Sequence, residues 1–461
     1  MKANLLKNKT TTFILFAVVF LILAGQVKAA TQIMTACTSA AFNSAYLAAS
    51  NGDTILFPEG MCNISTWTEY SIAKQNLTIM GRGVDKTSIT STNTIFTTPG
   101  PAANGLRITG IRFNASSDIF ILLINGTGSS PTIGTQNLRV DNCALYGNGG
   151  GRLIQTNNAQ ITGVADHNLL VNAYPFFIMG GYRDKTYPVS YPRPSGINNN
   201  GGFFIEDNTF SVTGTAAGEH QIIMNVGSSV VIRYNTFNFQ AANSGLWEII
   251  DTHGACYQST HGTFLLEVYE NNFNIPSGLE KLLGSEGGQL IVWNNRINIT
   301  PSWPITMNQV EFCGSGCQSG MACSAYPCLD QTRYSGFWNN KKTCGSDMTN
   351  CSGGSVFAPI SDCSIVQLNR DYYTTKSAYD TAMGSTYIPY QYPHPLTQAG
   401  QPTCTPGDAN SDGNINISDV QTCINVILGT DITHQACSDM NTSSTVDITD
   451  CQAIINKILN P

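Results

Sequence analysis

The sequence predicts an all-β fold, a right-handed parallel β-helix, followed by a small helical module. Between Phe203 and Ile297 an alternating apolar segment that ends in Asn occurs four times. A coil this short cannot bury its own apolar side chains, so neighbouring coils must stack to form a core. Asn suits the turn at the end of each strand, because its side chain bonds to local backbone. When the coils stack, the repeated Asn side chains are predicted to form a ladder of amides. The repeated asparagines are 27, 36 and 24 residues apart: Asn208, Asn235, Asn271 and Asn295.

The N-terminus has the features of an export signal. Basic residues precede the 11-residue apolar run 13–23, and small residues follow at Val27 and Ala29. This pattern predicts a signal peptide over residues 1–30 and a secreted protein. Eleven residues are too few to cross a bilayer, so no transmembrane anchor is expected.

Composition excludes one class of partner. The formal net charge is −7 and only 11% of the residues are charged, with no basic stripe. Nucleic acid is therefore not an expected partner.

Fifteen cysteines in an exported chain favour disulfides over zinc, because the Cys-rich insertion 313–363 contains no histidine. Cys37 and Cys62 are the first expected pair. Cys143 is the candidate for a buried free thiol.

Residues 37–52 predict a short N-terminal helix. Phe42, Ala45, Tyr46 and Ala49 lie on one helical face, and Asn51-Gly52 ends the helix. Such a helix would cap the open end of the solenoid core.

The opening Gly52-Asp53-Thr54-Ile55, the segment 76–83 (NLTIMGRG) and the later Asn-Thr-Phe coils resemble the pectate-lyase-like β-helix superfamily. The resemblance covers about residues 35–397. It implies a polysaccharide-cleaving lyase, which needs a base and a cation such as Ca²⁺, or a hydrolase, which needs paired carboxylates. The motifs of characterised lyases and hydrolases are not matched, so the enzyme class does not follow.

Alternation along the repeated strands places one side chain of each coil outside the core, two residues before the repeated Asn. Carboxylate, guanidinium and aromatic groups in one column suit sugar binding, and the alternative is a solvated face with a Glu206–Arg233 salt bridge. The candidate substrate-binding residues are Glu206, Arg233, Tyr269 and Trp293, with Glu267 beside them.

The densest titratable cluster lies in an insertion that begins near residue 247. Asp251 and His253 are two apart on an extended segment, with Glu248 and His261 nearby, and His220 lies one coil earlier. A carboxylate beside a histidine can make a base or a metal site, so the first four are the catalytic candidates. The alternative is a structural Asp–His hydrogen bond. The catalytic hypothesis requires Asp251, His253 and an Arg or Lys to converge on one groove.

The C-terminal region contains two loop-helix repeats 31 residues apart. Residues 408–419 meet the D-x-[DN]-x-[DN]-G calcium-loop pattern, whereas the second loop has Ser443 at position five and Ser444 in place of the turn glycine. We therefore expect weaker Ca²⁺ binding there. The candidate metal ligands are Asp408, Asn410, Asp412, Asn414, Asn416 and Asp419, then Asp439, Asn441, Ser443, Thr445, Asp447 and Asp450.

This duplicated unit resembles a type I dockerin, a calcium-folded module that docks into cohesin domains. The resemblance implies cohesin contacts at Ile417-Ser418 and Ile448-Thr449, whose similarity would permit two docking orientations. An ordinary EF-hand pair is the alternative, but 402–407 cannot supply an entering helix.

The predicted organisation is a signal peptide (1–30), a β-helix domain (31–397), a linker (398–406) and a dockerin (407–461). The leading hypothesis is a lyase or hydrolase acting on an extracellular, uronate-bearing polysaccharide and displayed on a cohesin scaffold. The alternative is a non-catalytic polysaccharide-binding or surface-structural protein. The sequence leaves open a further Ca²⁺ in the β-helix cleft.

Overall fold

A computed structural model of the chain describes most of the predicted β-helix region and much of the C-terminal module. The described residues are 29–115, 119–126, 133–147, 150–157, 159–173, 175–180, 202–213, 220–224, 227–239, 248–252, 263–275, 281–285, 287–299, 305–307, 332–342, 360–361, 366–398, 407–410, 414–428, 435–440 and 446–459. The predicted signal peptide and most of the insertion 313–363 lie outside these ranges. The chain forms two compact units, Met1–Tyr387 and Ile388–Pro461.

The first unit contains three long sheets. Sheet 1 has twelve strands: β1 Thr31–Ile33, β2 Thr54–Leu56, β5 Thr78–Met80, β8 Arg107–Thr109, β11 Leu138–Asp141, β14 Gly163–Asp166, β17 Phe203–Glu206, β20 Ser229–Arg233, β23 Leu265–Tyr269, β26 Gln289–Trp293, β29 Ser335–Trp338 and β32 Tyr372–Tyr373. Sheet 2 has ten: β3 Cys62–Ile64, β6 Thr87–Ser91, β9 Arg112–Ala115, β12 Ala144–Gly147, β15 Leu169–Val171, β18 Thr209–Val212, β21 Thr236–Phe239, β24 Asn272–Ile275, β27 Arg296–Ile299 and β30 Lys341–Lys342. Sheet 3 also has ten: β4 Tyr70–Ser71, β7 Phe96–Pro99, β10 Phe120–Asn125, β13 Arg152–Asn157, β16 Phe177–Met179, β19 His220–Met224, β22 Glu248–Thr252, β25 Lys281–Ser285, β28 Ile305–Met307 and β31 Ile360–Ser361.

The chain visits sheets 1, 2 and 3 in turn, and each strand pairs in parallel with the strand one coil earlier and one coil later. This arrangement is consistent with the predicted parallel β-helix. Buried and half-buried side chains alternate in the sheet 2 strands β18, β21 and β24. In β18, β21 and β24 the residues Phe210, Phe237 and Phe273 face the core and stack, with ring centroids 4.3 and 4.6 Å apart. Full burial of each ring stabilises the stack by about 1.5–3 kcal/mol.

The predicted asparagine ladder is confirmed at the bend between sheets 1 and 2. The Oδ1 atom of Asn235 accepts bonds from the backbone N–H (2.9 Å) and Nδ2 (3.0 Å) of Asn208, and Asn271 does the same for Asn235. The ladder continues through Asn295 to Asn340 and back to Asn168. It is fully buried, so one amide per coil fixes the strand register.

The residue with left-handed backbone in each bend is the one before the ladder asparagine. The repeated asparagine itself was expected to take this conformation, because Asn tolerates it. Asp207, Tyr234, Glu270 and Asn294 all have φ between 53° and 58°. The ladder amide therefore remains free to point inward, and the preceding side chain stands at the corner of the coil.

Helix α1 (Ser39–Ala48) lies at the N-terminal end of the unit. Thr38 caps it by accepting a hydrogen bond from the backbone N–H of Ala41. Phe42 is buried, and its ring lies 4.9 Å from Tyr70 and 5.1 Å from Trp67. The expected Cys37–Cys62 disulfide is confirmed. A 3₁₀ turn, η1 (Gly100–Ala103), follows β7.

Helix α2 (Lys376–Met383) ends the first unit, and the second unit contains α3 (Pro395–Gln398), α4 (Ile417–Ile427), α5 (Gln435–Ser438) and α6 (Ile448–Leu459). Helices α4 and α6 enclose a small core. A buried disulfide between Cys423 and Cys451 joins them, and Cys437 is also disulfide-bonded. No helix among the described residues is long and apolar enough to span a membrane.

Candidate functional site

The predicted binding column lies on sheet 1, where Glu206, Arg233, Tyr269 and Trp293 are successive register partners. Glu206 and Arg233 are nevertheless fully buried. The guanidinium group donates to Glu206 Oε2 from Nε (2.7 Å) and Nη2 (2.6 Å), and from Nη1 to the Tyr269 hydroxyl (3.0 Å). Burial alone would lower the pKa of Arg233, but Tyr269 and Glu206 outweigh it and raise that pKa. The salt bridge that was the alternative expectation is present, but inside the protein and not on a solvated face.

The aromatic end of this column is covered by the unit's own C-terminal segment. The Tyr387 hydroxyl donates to Glu267 Oε2 (2.6 Å), and Trp293 Nε1 donates to the Tyr387 hydroxyl (3.2 Å). Trp293 stacks on Tyr269 at 4.7 Å and lies parallel to Trp338 at 6.4 Å. These rings therefore contact protein in the described structure, and only Trp293 retains partial exposure.

Sequence analysis missed the continuation of this column toward the N-terminus. Asp141 and Asp166 are register partners, both fully buried. Arg107 binds Asp141 through Nε (2.8 Å) and Nη2 (2.7 Å), and Arg139 binds Asp166 in the same way at 3.0 and 2.9 Å. Burial raises the pKa of Asp141, but the hydrogen bond from Arg107 and the charge of Arg139 outweigh it and hold that pKa below its usual value. Each carboxylate is thus paired with a guanidinium group.

One histidine extends from this charged row to solvent. The Nδ1 atom of His167 lies 3.0 Å from Asp166 Oδ2, and 55% of its side chain is exposed. The hydrogen bond with Asp166 raises the pKa of His167 despite partial burial. A half-exposed imidazole that is held by a carboxylate is suited to proton transfer.

The catalytic candidates that the structure describes lie on sheet 3. Asp251 pairs with Gly284 in the register, and Glu248 Oε2 occupies the position that a Cβ on Gly284 would take. The two buried carboxyl groups therefore flank one glycine. His253 and His261 lie outside the described residues.

Two basic residues join Glu248 by register, because it pairs with His220 on one side and Lys281 on the other. Arg233 is on sheet 1 and Arg296 on sheet 2, so neither arginine shares a sheet with Asp251. Among the described residues of sheet 3, the register brings a carboxylate and basic residues together in the rows of β19, β22 and β25.

In the C-terminal unit, position twelve of each calcium-type loop organises the backbone. Asp419 accepts from the backbone N–H of Asn410 (3.0 Å) and Asn416 (2.8 Å). Asp450 accepts correspondingly from Met440 (2.9 Å) and Asp447 (2.9 Å). The first donor in the second loop, Met440, is at position two, one position earlier than Asn410 in the first loop. The second loop also has Ser444 in place of the turn glycine.

Both Asp419 and Asp450 are fully buried at the start of a helix. Carboxylate and amide oxygens are the hard ligands that Ca²⁺ prefers, so Asp408, Asn410, Asn414, Asn416 and Asp419 fit a calcium loop. Within the described ranges, no group of three or more His, Cys, Asp or Glu residues is placed to hold a metal. The remaining described second-loop candidates are Asp439 and Asp447, while Asp412, Asn441, Ser443 and Thr445 lie outside the described residues.

The predicted docking positions are equivalent in exposure. Ile417 is 73% exposed and Ile448 is 71% exposed, each at the first position of its helix, with Ser418 and Thr449 beside them. Both positions are therefore accessible, as a docking contact requires.

Comparison with known proteins identifies the C-terminal module. A model of the dockerin type I domain matches residues 406–459, which span both loops and helices α4 to α6. No curated protein and no solved structure matches the chain. The dockerin implies a cohesin partner.

Proposed function

We propose that the chain is a secreted carbohydrate-active protein that attaches to a cohesin scaffold through a calcium-loaded dockerin. The dockerin match at 406–459 carries this proposal. Dockerin domains occur on extracellular cellulosome components, which supports export by the predicted signal 1–30. We assign residues 31–397 to a right-handed, pectate-lyase-like β-helix capped by α1, 398–406 to a linker and 407–461 to the dockerin.

Calcium would be held by the loop oxygens described above, where it fixes both loops and so orients α4 and α6. Ile417-Ser418 and Ile448-Thr449 then form the cohesin contact. Cohesin pull-down with Ca²⁺ should capture the protein, and EDTA should abolish capture. Asp419→Ala should weaken capture more than Asp447→Ala, because Asp419 is buried and holds two backbone donors. Capture that is indifferent to EDTA would refute the calcium assignment.

For the β-helix we propose cleavage of an extracellular polysaccharide at the outer face of sheet 3. Two buried carboxyl groups beside a glycine, with His220 and Lys281 in neighbouring strands, support this location. The second glycosidase carboxylate or the lyase base would come from this set, to which we also assign His253 and His261. A lyase and a hydrolase remain the two reaction classes for this site.

Absorbance near 235 nm and release of reducing ends, measured over a panel of uronate polysaccharides, separate these classes. β-Elimination raises both signals, whereas hydrolysis raises only the second. Glu248→Gln, Asp251→Asn and Gly284→Ala should each abolish cleavage, the last by displacing the Glu248 carboxylate. Arg112→Gln on sheet 2 is the matched control and should cleave normally, because Arg112 pairs with Asp85 and lies outside both candidate sites.

A non-catalytic polysaccharide-binding protein is the second candidate. Glu248 and Asp251 are buried, as Glu206 and Arg233 are, and buried carboxyl groups can stabilise the scaffold without contacting a substrate, which favours this candidate. Absence of both cleavage signals, with retained polysaccharide binding, would decide for this function.

A further inference from the structure

The outer face of sheet 2 carries a regular array of nine polar side chains, of which seven are uncharged and two are basic. In β18, β21, β24 and β27 the outward positions form two columns that are half-buried or exposed. The strand register aligns each column. One column is Thr209, Thr236, Asn272, Arg296 and Lys341, and the other is Ser211, Asn238, Asn274 and Asn298.

The array resembles a hydrogen-bonding platform more than an ordinary solvated face. Seven of its nine members are hydroxyls and amides, and Asn298 Nδ2 donates to Asn274 Oδ1 at 2.9 Å. Adjacent rows are about 4.8 Å apart. Such groups can donate to and accept from successive sugar hydroxyls of a chain that runs along the solenoid axis.

Charge makes the platform selective. None of its nine side chains is acidic, although the whole chain has a net charge of −7. Arg296 and Lys341 are exposed and adjacent in register at one end. Asp207 and Glu270 lie at the corner before the sheet, where Asn294 Nδ2 donates to Glu270 Oε1 (2.6 Å).

We propose that this array binds an acidic polysaccharide, with Arg296 and Lys341 pairing to uronate carboxylates and the amides and hydroxyls contacting sugar hydroxyls. The inference rests on the proposed polysaccharide function and adds a binding face separate from the sheet 3 site. Both sites then contact the same class of chain on different sides of the coil.

Binding is tested by affinity electrophoresis of the full-length mature protein in gels containing polygalacturonate. The background variant is Glu248→Gln/Asp251→Asn, so that the polysaccharide is not cleaved during the run. Fully methyl-esterified polygalacturonate, which keeps the backbone and loses the charges, is the ligand control.

We expect Arg296→Gln/Lys341→Gln to lower the affinity for polygalacturonate, measured by the retardation, by about ten-fold or more. Asn238→Ala/Asn274→Ala should lower this affinity independently. Arg112→Gln is the matched control, because Arg112 lies on the same sheet outside the array and pairs with Asp85. Tryptophan fluorescence should show unchanged unfolding for all variants.

Equal binding of the esterified and acidic polymers, or array variants that bind like their background, would overturn the inference. Cleavage by the wild-type protein is scored separately. If the wild-type protein cleaves the polysaccharide but the array variants bind it as well as their background does, only this binding face is refuted. If the array variants lose binding but the wild-type protein does not cleave, only the catalytic proposal is refuted.

Discussion

Removing the guanidinium of Arg233 should destabilise the first unit by about 3–5 kcal/mol, because the Glu206 carboxylate would remain buried without its counter-charge. Both side chains have no solvent exposure, so water cannot replace the lost partner. Arg233→Met also leaves the Tyr269 hydroxyl without the donor now 3.0 Å away. The double variant Arg233→Met/Glu206→Leu should recover most of the loss, since replacing both charges by apolar groups is often nearly neutral.

The assay is urea unfolding followed by tryptophan fluorescence. All five tryptophans precede residue 388, so the signal reports only on the first unit. Arg296→Met, at an exposed position, is the matched control and should change the free energy of unfolding by less than about 0.5 kcal/mol. A loss below about 1 kcal/mol for Arg233→Met, or a double variant no more stable than the single one, would refute the assignment of a buried, mutually dependent pair.

Three further perturbations test separate features. Asn235→Ala interrupts the ladder and leaves buried donors unpaired, so it should cost about 2–4 kcal/mol in urea unfolding, whereas the outward Asn238→Ala should cost little. His167→Asn, which tolerates the left-handed backbone, should destabilise the fold at about pH 5 and have little effect at about pH 9. The sign follows from the raised pKa: protonated His167 stabilises the fold below its unfolded-state pKa, and this is lost as pH rises through the folded-state pKa. Cys423→Ala/Cys451→Ala removes a cross-link of separation 28 and should cost the dockerin about 3–4 kcal/mol by circular dichroism.

The repeat pattern predicted much of the first unit because spacing and alternation are set by local chemistry. The Asn spacing identified the coils, their parallel register and the amide ladder. Alternation placed Glu206 and Arg233 outside the core but could not predict their burial, which depends on segments distant in sequence. Likewise, nothing local shows that Tyr387 contacts Glu267 across 120 residues.

The missed charged row has a traceable cause. The coil that contains Asp141 was predicted, but its ladder position is Cys143 and not Asn, so the outward position two residues before the repeated Asn was not counted there. Counting two residues back from Asn168 would have found Asp166. The position of the Glu248 carboxylate above Gly284 had no sequence signal, because the glycine is one coil later in the chain.

Cys143 explains how the ladder can end without an unpaired acceptor. Its backbone N–H donates to Asn168 Oδ1 at 3.0 Å, so the last amide oxygen of the column is satisfied by main chain alone. A side chain at this position therefore makes no ladder hydrogen bond, and the small thiol of Cys143 fits there. Burial raises the pKa of this thiol, which keeps the thiol protonated. The predicted buried free cysteine is thus confirmed. Internal amides and ion pairs therefore fix the register of neighbouring coils from inside the protein.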